Sequence, residues 1–279
     1  MPSRDEYPDD AVQACLSVLL ELFTYLKPYR DYIVLIGGWV PFFLTKDKTE
    51  ESHIGSLDID LALDANRIPE TGYTTILELL AERDYQPARN SKNEIIPARY
   101  ERIARFADGR SYPVQVDFLA PEYGGTKRRH RHQRVQDLLA HKARGSDLVF
   151  KHYVEIEIAG RLPNGAENRE KIKIADPLSC WVMKSITFGN RGSEKDAYDL
   201  YVLCDSLGAE IIIKSLYPLR RNKLVKESLT ILRDKFSSPN ALGPTAVADF
   251  LKATGDEGER IKRRVFELFQ LIVAQIEKK

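Results

Sequence analysis

Apolar and polar positions recur with two different periods along the chain, and the change of period divides it into two parts. Residues 9–27 carry apolar side chains at the spacing of an amphipathic helix, which ends at Pro28. The runs "YIVLIGG" and "LDIDLAL" predict two short buried strands, and "WVPFFLT" between them predicts a helix. Residues 70–83 predict another amphipathic helix.

Two hairpins are predicted in the following hundred residues. The first joins "IPARYERIARF" to "SYPVQVDFLAP" through "ADGR", and the second spans "YVEIEIAGRLPNGAENREKIKIA", with a Pro-Asn-Gly turn. The basic, glycine-containing segment "YGGTKRRHRHQR" between them predicts a loop.

From Asp176 onward the pattern is helical. Asp176 followed by Pro177 is a helix start signal, and a second helix is bounded by Ser193 and Gly208. Residues 209–234 and 259–277 continue the helical pattern on either side of the Pro/Gly/Ser-rich stretch "SSPNALGPT". The pattern therefore predicts an α/β domain over residues 1–174 and a helical domain over residues 175–279.

Composition narrows the class of protein. The 279 residues are 43% apolar and 30% charged, which is typical of a soluble globular protein with a sizeable core. The net charge is +1, but residues 209–279 hold 14 Lys and Arg against 9 Asp and Glu, so basic groups concentrate near the end. Three scattered cysteines indicate neither a disulfide framework nor a zinc site. With an acidic first segment and no apolar run of about 20 residues, a cytoplasmic protein without membrane association is expected.

Two carboxylates interrupt the second predicted strand. Asp58 and Asp60 are two residues apart, so both side chains project from the same face of the strand. Asp117 lies in another predicted strand, and if the two strands are neighbours, three carboxylates converge. Such a cluster favours one or two Mg²⁺ ions acting on a phosphate. A D-x-D on its own is also typical of a solvated strand face paired with lysines.

Gly37 and Gly38 follow the first strand and precede a helix. Glycine allows the backbone to approach a phosphate, and N–H groups at a helix start favour an anion. A simple tight turn explains two glycines equally well. The chain has no G-x-G-x-x-G or Walker A pattern, which argues against Rossmann and P-loop folds.

The order of these features resembles the DNA polymerase β-type nucleotidyltransferase superfamily: strand, Gly-Gly, helix, "GSLDID", then a third acidic strand residue. The later stretch "DPLSCWVMKSITFGNRGSEKDAYDLYVL" resembles the downstream motifs of the AbiEii-like branch, which includes toxins of type IV toxin–antitoxin systems. The resemblance covers about residues 32–205 and implies an α+β fold, in which a polymerase β-like mixed-sheet domain is followed by a helical domain that completes the nucleotide site.

The resemblance implies transfer of a nucleoside monophosphate from an NTP to an acceptor, with Mg²⁺ as cofactor. Asp58 and Asp60 would hold Mg²⁺, and Asp117 would complete the metal site or take the proton of the acceptor hydroxyl. Hydrogen bonds to phosphate oxygens would come from Gly37, Gly38 and Ser56.

In the helical half, the resemblance implies a nucleotide-contacting or site-organising role for a set of charged residues. Lys184 is the candidate for neutralising the triphosphate, with a lysine on a solvated helix face as the alternative. The other members of the set are Arg191, Lys195, Asp196 and Asp199. Asp196 has the alternative role of closing a capping box with Ser193.

The acceptor is less constrained than the nucleotide site. The basic run at residues 126–134 predicts either a solvated loop or a grip on the phosphates of an RNA acceptor. His130 and His132 within it lack Cys or acidic partners, so no zinc site is expected. An RNA-directed toxin with a cognate antitoxin is the leading hypothesis. A small-molecule transferase of the aminoglycoside-modifying type and an inactive nucleotide-binding module are the alternatives.

Overall fold

The computed structural model describes residues 3–46, 48, 53–69, 74–106, 109–122 and 132–278. The chain forms two compact units. The sheet unit comprises Pro8–Trp39 and Ser56–Ala175, and the helical unit comprises Met1–Tyr7, Val40–Gly55 and Asp176–Lys279. The sheet unit thus ends beside the predicted boundary at residue 174, but residues 40–55 belong to the helical unit. The functional division into a catalytic and a completing domain stays a prediction.

The secondary structure is mixed α/β. The strands are β1 (Ile33–Ile36), β2 (Asp58–Leu63), β3 (Gln86–Arg89), β4 (Ile95–Arg105), β5 (Ser111–Pro121), β6 (His132–Val135), β7 (Leu138–Ala143), β8 (Tyr153–Arg161) and β9 (Glu167–Ala175). The helices are α1 (Asp9–Tyr25), α2 (Trp39–Thr45), α3 (Ile76–Ala81), α4 (Pro177–Arg191), α5 (Glu194–Leu207), α6 (Ala209–Leu216), α7 (Lys223–Lys235), α8 (Leu242–Phe250) and α9 (Gly255–Glu277).

The strands of the sheet unit form one mixed sheet in the order β3-β4-β5-β2-β1-β9-β8, with β7 also pairing with β5 and β6. The pairs β2–β5, β1–β9 and β5–β7 are parallel, whereas the hairpins β4–β5 and β8–β9 are antiparallel. Both predicted hairpins are therefore confirmed, and the strands that carry Asp60 and Asp117 are neighbours, which meets the condition for the three carboxylates to converge.

α1 forms because apolar residues recur along one side of residues 9–25 and Asp9 and Asp10 favour the positive end of the helix dipole. It packs against β2, β4, β5, β8 and β9. Val18, Leu19 and Leu22 are each at most 1% exposed, and burying such a side chain contributes about 1.5–3 kcal/mol. This packing fixes the sheet on which the predicted carboxylates lie.

One strand residue has an unusual backbone conformation. Ala98 in β4 has φ of +65° and is buried. Ala98 immediately precedes Arg99, and the pairing of β4 with β5 begins at Arg99 opposite Asp117. A side chain in the left-handed region costs about 1–2 kcal/mol, so the surrounding sheet must hold this bend in place.

In the helical unit, α4 has a defined cap at each end. The Asp176 side chain accepts a hydrogen bond from the Ser179 N–H at 2.8 Å, and α4 ends at Gly192 with φ of +64°. Phe236 and Phe269 stack with ring centroids 4.1 Å apart in the core. The predicted start of α4 at Asp176 and the predicted bounds of α5 at Ser193 and Gly208 are confirmed.

Several elements differ from the prediction: β3 and β7 are additional strands, and the predicted helical stretch 209–234 is divided into α6 and α7. α3 begins only at Ile76, because Thr75 caps it, and it ends at Ala81; residues 70–73 of the predicted helix lie outside the described residues. α8 occupies part of the stretch predicted to separate helices, since Gly243 and Pro244 fall in its first turn, where a missing N–H costs little. β6 includes the last residues of the predicted basic loop.

Candidate active site

The glycine turn after β1 lies directly against the side chain of Asp60 on β2. Ile36, the last residue of β1, pairs with Asp60 of β2, and Gly37 follows with φ of +75°. A Cβ atom on Gly37 would lie 2.8 Å from Cγ and 2.9 Å from Cβ of Asp60, and closer still to its Oδ2 atom. Only glycine fits this position, both for its conformation and for the space that Asp60 occupies.

The charged residues of the sheet unit form a row across three strands, which we term the carboxylate row. Asp60 of β2 pairs with Asp117 of β5, and Asp117 pairs with Arg99 of β4. Directly paired residues project from the same face of a sheet, so these three side chains share one face. Asp58 shares that face too, two residues before Asp60 on β2. The structure thus brings the three predicted carboxylates together.

Arg99 is the cation of the row. Its Nε donates to Oδ1 of Asp117 at 2.7 Å and its Nη2 donates to Oδ2 at 2.6 Å. This is the two-pronged geometry in which arginine recognises a carboxylate most strongly. The hydrogen bonds to Asp117 raise the pKa of Arg99, and the negative charges of Asp58 and Asp60 add to the effect although partial burial opposes it.

Ser56 acts on Asp58 in this structure. Its hydroxyl donates to Oδ1 of Asp58 at 2.6 Å, and the residue is buried. Ser56 was expected to donate to a phosphate oxygen. In the structure this hydrogen bond fixes the orientation of the Asp58 carboxylate, and the role of Ser56 toward a phosphate stays a prediction.

A histidine pair lies close to the carboxylate row. His141 of β7 pairs with Leu119 of β5, two residues beyond Asp117, and faces His132 of β6 with ring centroids 4.6 Å apart. Burial lowers the pKa of His141, and the neighbouring His132 lowers it further. His130 and the rest of the basic run up to residue 131 lie outside the described residues.

A second charged cluster lies in the helical unit, centred on Lys184 of α4. Its Nζ lies 2.6 Å from Oδ2 of Asp199 and 3.2 Å from Oδ1 of Asp196. Both carboxylates are fully buried and the Lys184 side chain is 11% exposed, which excludes the solvated-face alternative. Burial alone would lower the pKa of Lys184, but the two carboxylates outweigh it and raise the pKa above its usual range.

Lys195 and His53 complete this cluster around Asp199. Lys195 forms an ion pair with Asp199, and its Nζ lies 5.4 Å from the ring centroid of Tyr198. Burial would raise the pKa of Asp199, but Lys184 and Lys195 together bring it well below its usual range. Nδ1 of His53 accepts from the Gly55 N–H at 3.0 Å, and its Nε2 lies 2.7 Å from Asp199 Oδ1.

This geometry assigns a neutral His53 with its proton on Nε2, donating to Asp199. Burial, and then the positive charge of Lys195, lower the pKa of His53 to about 4. The imidazole therefore links the segment before Ser56 to α5 without adding a charge.

Asp196 is held by the end of the preceding helix. Arg191 donates to it through Nε at 2.6 Å and Nη2 at 3.0 Å. Ser193 makes no side-chain capping bond, so the capping-box alternative for Asp196 is wrong. Arg191 is the most exposed member of the cluster, with 61% of its side chain accessible. Perturbed pKa values in a buried charged cluster are typical of functional sites.

The residues of the row fit a divalent cation in part. Asp58 and Asp60 supply hard oxygen ligands from one strand face, as Mg²⁺ prefers. Asp117 does not fit as a ligand while both of its oxygens accept hydrogen bonds from Arg99. Across the described part of the chain, no group of three or more His, Cys, Asp or Glu side chains is placed to hold a metal ion.

Two residues of these clusters are missing from the sequence prediction. Arg99 is one of several charged residues in a strand of mixed pattern, and His53 is a single histidine in a polar loop. No local signal distinguishes either one, because their partners Asp117 and Asp199 are remote in sequence.

Two further findings describe the remaining surface. A groove of about 680 Å³ in the sheet unit is lined by α1, Arg105, Phe106 and residues 158–165, and none of the predicted site residues lines it. Among the described residues, no helix combines the length and the apolar character required to cross a bilayer.

Comparison with known proteins gives a structural likeness. No family model matches the chain, and no curated protein matches it. The fold is similar to the crystal structure of an antigenic nucleotidyltransferase-like protein from Paracoccidioides brasiliensis, with 17% sequence identity and a TM-score of 0.44. The match covers 88% of this chain and 94% of that one.

Proposed function

We propose that this protein is a Mg²⁺-dependent nucleotidyltransferase that moves a nucleoside monophosphate from an NTP to an acceptor hydroxyl, with pyrophosphate as the leaving group. One observation carries the proposal: Asp60 and Asp117 are paired on adjacent strands, with Asp58 on the same face and the Gly37 turn against Asp60. A sheet concentrates three carboxylates on one face at a cost in repulsion, and a cationic ligand offsets that cost.

In the proposed reaction, the sheet unit handles the phosphate. Mg²⁺, when bound by Asp58 and Asp60, supplies charge neutralisation and polarises the phosphoryl group. The absence of side chains at Gly37 and Gly38 lets phosphate oxygens approach the backbone. Asp117 orients the acceptor hydroxyl and takes its proton. Ser56 keeps the Asp58 carboxylate in one orientation.

The helical unit supplies positive charge in this proposal. Lys184 and Lys195 neutralise part of the triphosphate, and Asp196 and Asp199 hold the two amines in place. Arg191, with most of its side chain exposed, contacts the nucleotide. Positioning and charge neutralisation are the main requirements of phosphoryl transfer, and few covalent steps are needed from the protein.

The acceptor and the biological role extend the proposal. We infer an RNA acceptor gripped by the basic run at residues 126–134, and an AbiEii-like toxin acting in the cytoplasm and neutralised by a cognate antitoxin. This part rests on the motif resemblance and on five Lys and Arg in nine residues of that run. Expression in a bacterial host tests it: growth arrest by the wild type and normal growth with Asp58→Asn are expected.

A second candidate function is a nucleotide-binding module without transfer. The bidentate Arg99–Asp117 pair favours it, because that pair occupies the carboxylate expected to act on the acceptor. In a binding module, the carboxylate row would keep its hydrogen bonds to Arg99 and would take no part in a reaction.

The decisive experiment is a labelling assay. Purified protein is incubated with each α-phosphate-labelled NTP, Mg²⁺ and total cellular RNA, and incorporation is compared with that of Asp58→Asn. We expect a loss of at least about 100-fold in the variant, the order of loss seen when a transition-state charge is left unbalanced. Asp249→Asn is the matched control, since Asp249 is exposed on α8. Equal labelling by wild type and Asp58→Asn refutes the proposal, and NTP binding without labelling supports the binding module.

A further inference from the structure

Arg99 and a divalent cation require the same carboxylate. The guanidinium uses both oxygens of Asp117, at 2.7 and 2.6 Å, and the Asp117 side chain is only 12% exposed. A cation ligated by Asp117 must therefore displace at least one of these hydrogen bonds. This inference rests on the proposed function in one respect, that the cation site is the one formed by the carboxylate row.

The position of Arg99 is set by the backbone and does not depend on a flexible surface contact. Arg99 pairs directly with Asp117 in the antiparallel ladder. The preceding residue, Ala98, is buried with φ of +65°, at the point where β4 joins the edge of β5. Two residues further along β5, the same edge pairs with β7, beginning with Leu119 opposite His141. Arg99 thus stands at a fixed junction of three strands.

The charges of the row explain why such a counter-ion is useful. Asp58, Asp60 and Asp117 lie on one face, and Arg99 places a positive charge against Asp117. Without Arg99, Asp117 would lose this positive charge, and the attraction of the face for cations would be stronger.

We propose that Arg99 is a positioning residue that acts as the resident counter-ion of Asp117 and lowers the affinity of the carboxylate row for divalent cations. Arginine also binds phosphate with the same fork of donors. A triphosphate that takes the guanidinium from Asp117 releases this carboxylate. Cation and nucleotide then bind with positive cooperativity, each raising the affinity of the other by the same factor.

Binding of Mn²⁺ in the absence of nucleotide tests the proposal without any activity measurement. Calorimetry, or the electron paramagnetic resonance signal of free Mn²⁺, gives the dissociation constant of the wild type, Arg99→Gln and Arg99→Lys. Arg99→Gln removes the charge and is expected to bind Mn²⁺ at least about tenfold more tightly. Arg99→Lys keeps the charge but loses the bidentate geometry, so an intermediate affinity is expected.

Arg105→Gln is the matched control. Arg105 lies on the same strand and the same face, six residues further along β4 and about 20 Å away. Its variant removes the same charge without touching Asp117, so its affinity for Mn²⁺ is expected to stay within about twofold of the wild type. Circular dichroism verifies that each variant is folded.

A double variant separates the roles of the two partners. In Arg99→Gln/Asp117→Asn, the gain in Mn²⁺ affinity is expected to disappear, because the released carboxylate is no longer present. A gain that persists in the double variant, or an Arg99→Gln affinity equal to or weaker than the wild type, overturns the proposal. A complete lack of Mn²⁺ binding by the wild type and by Arg99→Gln also overturns the proposal.

The failure of this inference is distinguishable from failure of the proposed function. Tighter Mn²⁺ binding by Arg99→Gln without any nucleotidyl transfer by the wild type upholds the counter-ion role and refutes the enzyme. Nucleotidyl transfer by the wild type, together with an unchanged Mn²⁺ affinity in Arg99→Gln, upholds the enzyme and refutes the counter-ion role.

Discussion

Replacement of Gly37 by alanine should destabilise the sheet unit and displace Asp60. Two physical effects add at this position. With φ of +75°, an L-residue pays about 1–2 kcal/mol for the left-handed conformation. The new Cβ would also lie 2.8 Å from Cγ and 2.9 Å from Cβ of Asp60, tighter than van der Waals contact allows. Overpacking of this kind costs another 1–3 kcal/mol or so.

The expected loss is therefore about 3 kcal/mol, equivalent to a decrease in melting temperature of roughly 6–12 °C for a protein of this size. The chain offers a convenient probe, since each unit contains one tryptophan: Trp39 in the sheet unit and Trp181 in the helical unit. In a Trp181→Phe background, urea unfolding followed by the fluorescence of Trp39 reports on the sheet unit.

Gly165→Ala separates the two effects. Gly165 lies in the β8–β9 turn with φ of +85°, and a Cβ there would meet nothing within 4 Å. This control carries the conformational cost alone, about 1–2 kcal/mol. In a Gly37→Ala/Asp60→Ala variant, the overlap with the carboxyl group is removed and that with the Cβ atom of residue 60 remains, so its cost should be less than the sum of the single changes. A Gly37→Ala variant no less stable than Gly165→Ala would refute the close approach of Asp60.

Three further changes have defined outcomes. Ala98→Gly relieves the left-handed backbone of β4 and should raise the free energy of unfolding by about 0.5–1 kcal/mol in thermal unfolding. Lys184→Met leaves Asp196 and Asp199 buried with less positive charge around them. The free energy of unfolding, measured by urea unfolding, should therefore fall by about 3–5 kcal/mol. The folded-state pKa of His53 is about 4, below the unfolded value of 6.5, so its contribution to stability is present above pH 6.5 and is lost as the pH falls toward 4. Stability measured between pH 7 and 4 should therefore fall less steeply in His53→Gln than in the wild type.

Matched variants control for these changes. Lys226→Met removes an exposed lysine of α7 and is expected to leave the stability within about 0.5 kcal/mol of the wild type. His152→Gln, a change at a partly exposed histidine, is the comparison variant for His53→Gln. A Lys184→Met variant as stable as Lys226→Met would contradict the buried ion cluster, and parallel pH profiles for His53→Gln and wild type would contradict a neutral buried His53.

Elements with local signals could be predicted from the sequence. The Asp176-Pro177 start of α4, the Pro-Asn-Gly turn of β8–β9 and the spacing of Asp58 and Asp60 depend on neighbouring residues, and the structure confirms the elements that they predict. The convergence of Asp60 and Asp117 was a conditional prediction. Its condition, adjacent strands, is met by a parallel pairing that no local pattern specifies.

The remaining features depend on contacts between distant residues. Arg99, Arg102 and Arg105 alternate with apolar and polar residues in one strand, and only the register with β5 selects Arg99 as the partner of Asp117. His53 is buried by Asp199, which lies far along the chain. β6 and β7 are short and polar, so periodicity does not predict them.

The parallel pairing of β2 with β5 also determines when the carboxylate row comes into existence. Asp60 and Asp117 are separated in the chain by α3, β3 and β4, and a parallel pair requires such a long connection. Contacts of this separation form late, because the chain must first lose the entropy of closing the loop. A nascent chain that ends before β5 already contains Gly37, Asp58 and Asp60, yet it has no row. The acidic face is thus assembled by folding itself, and an incomplete or locally unfolded chain does not present it to cations or nucleotides.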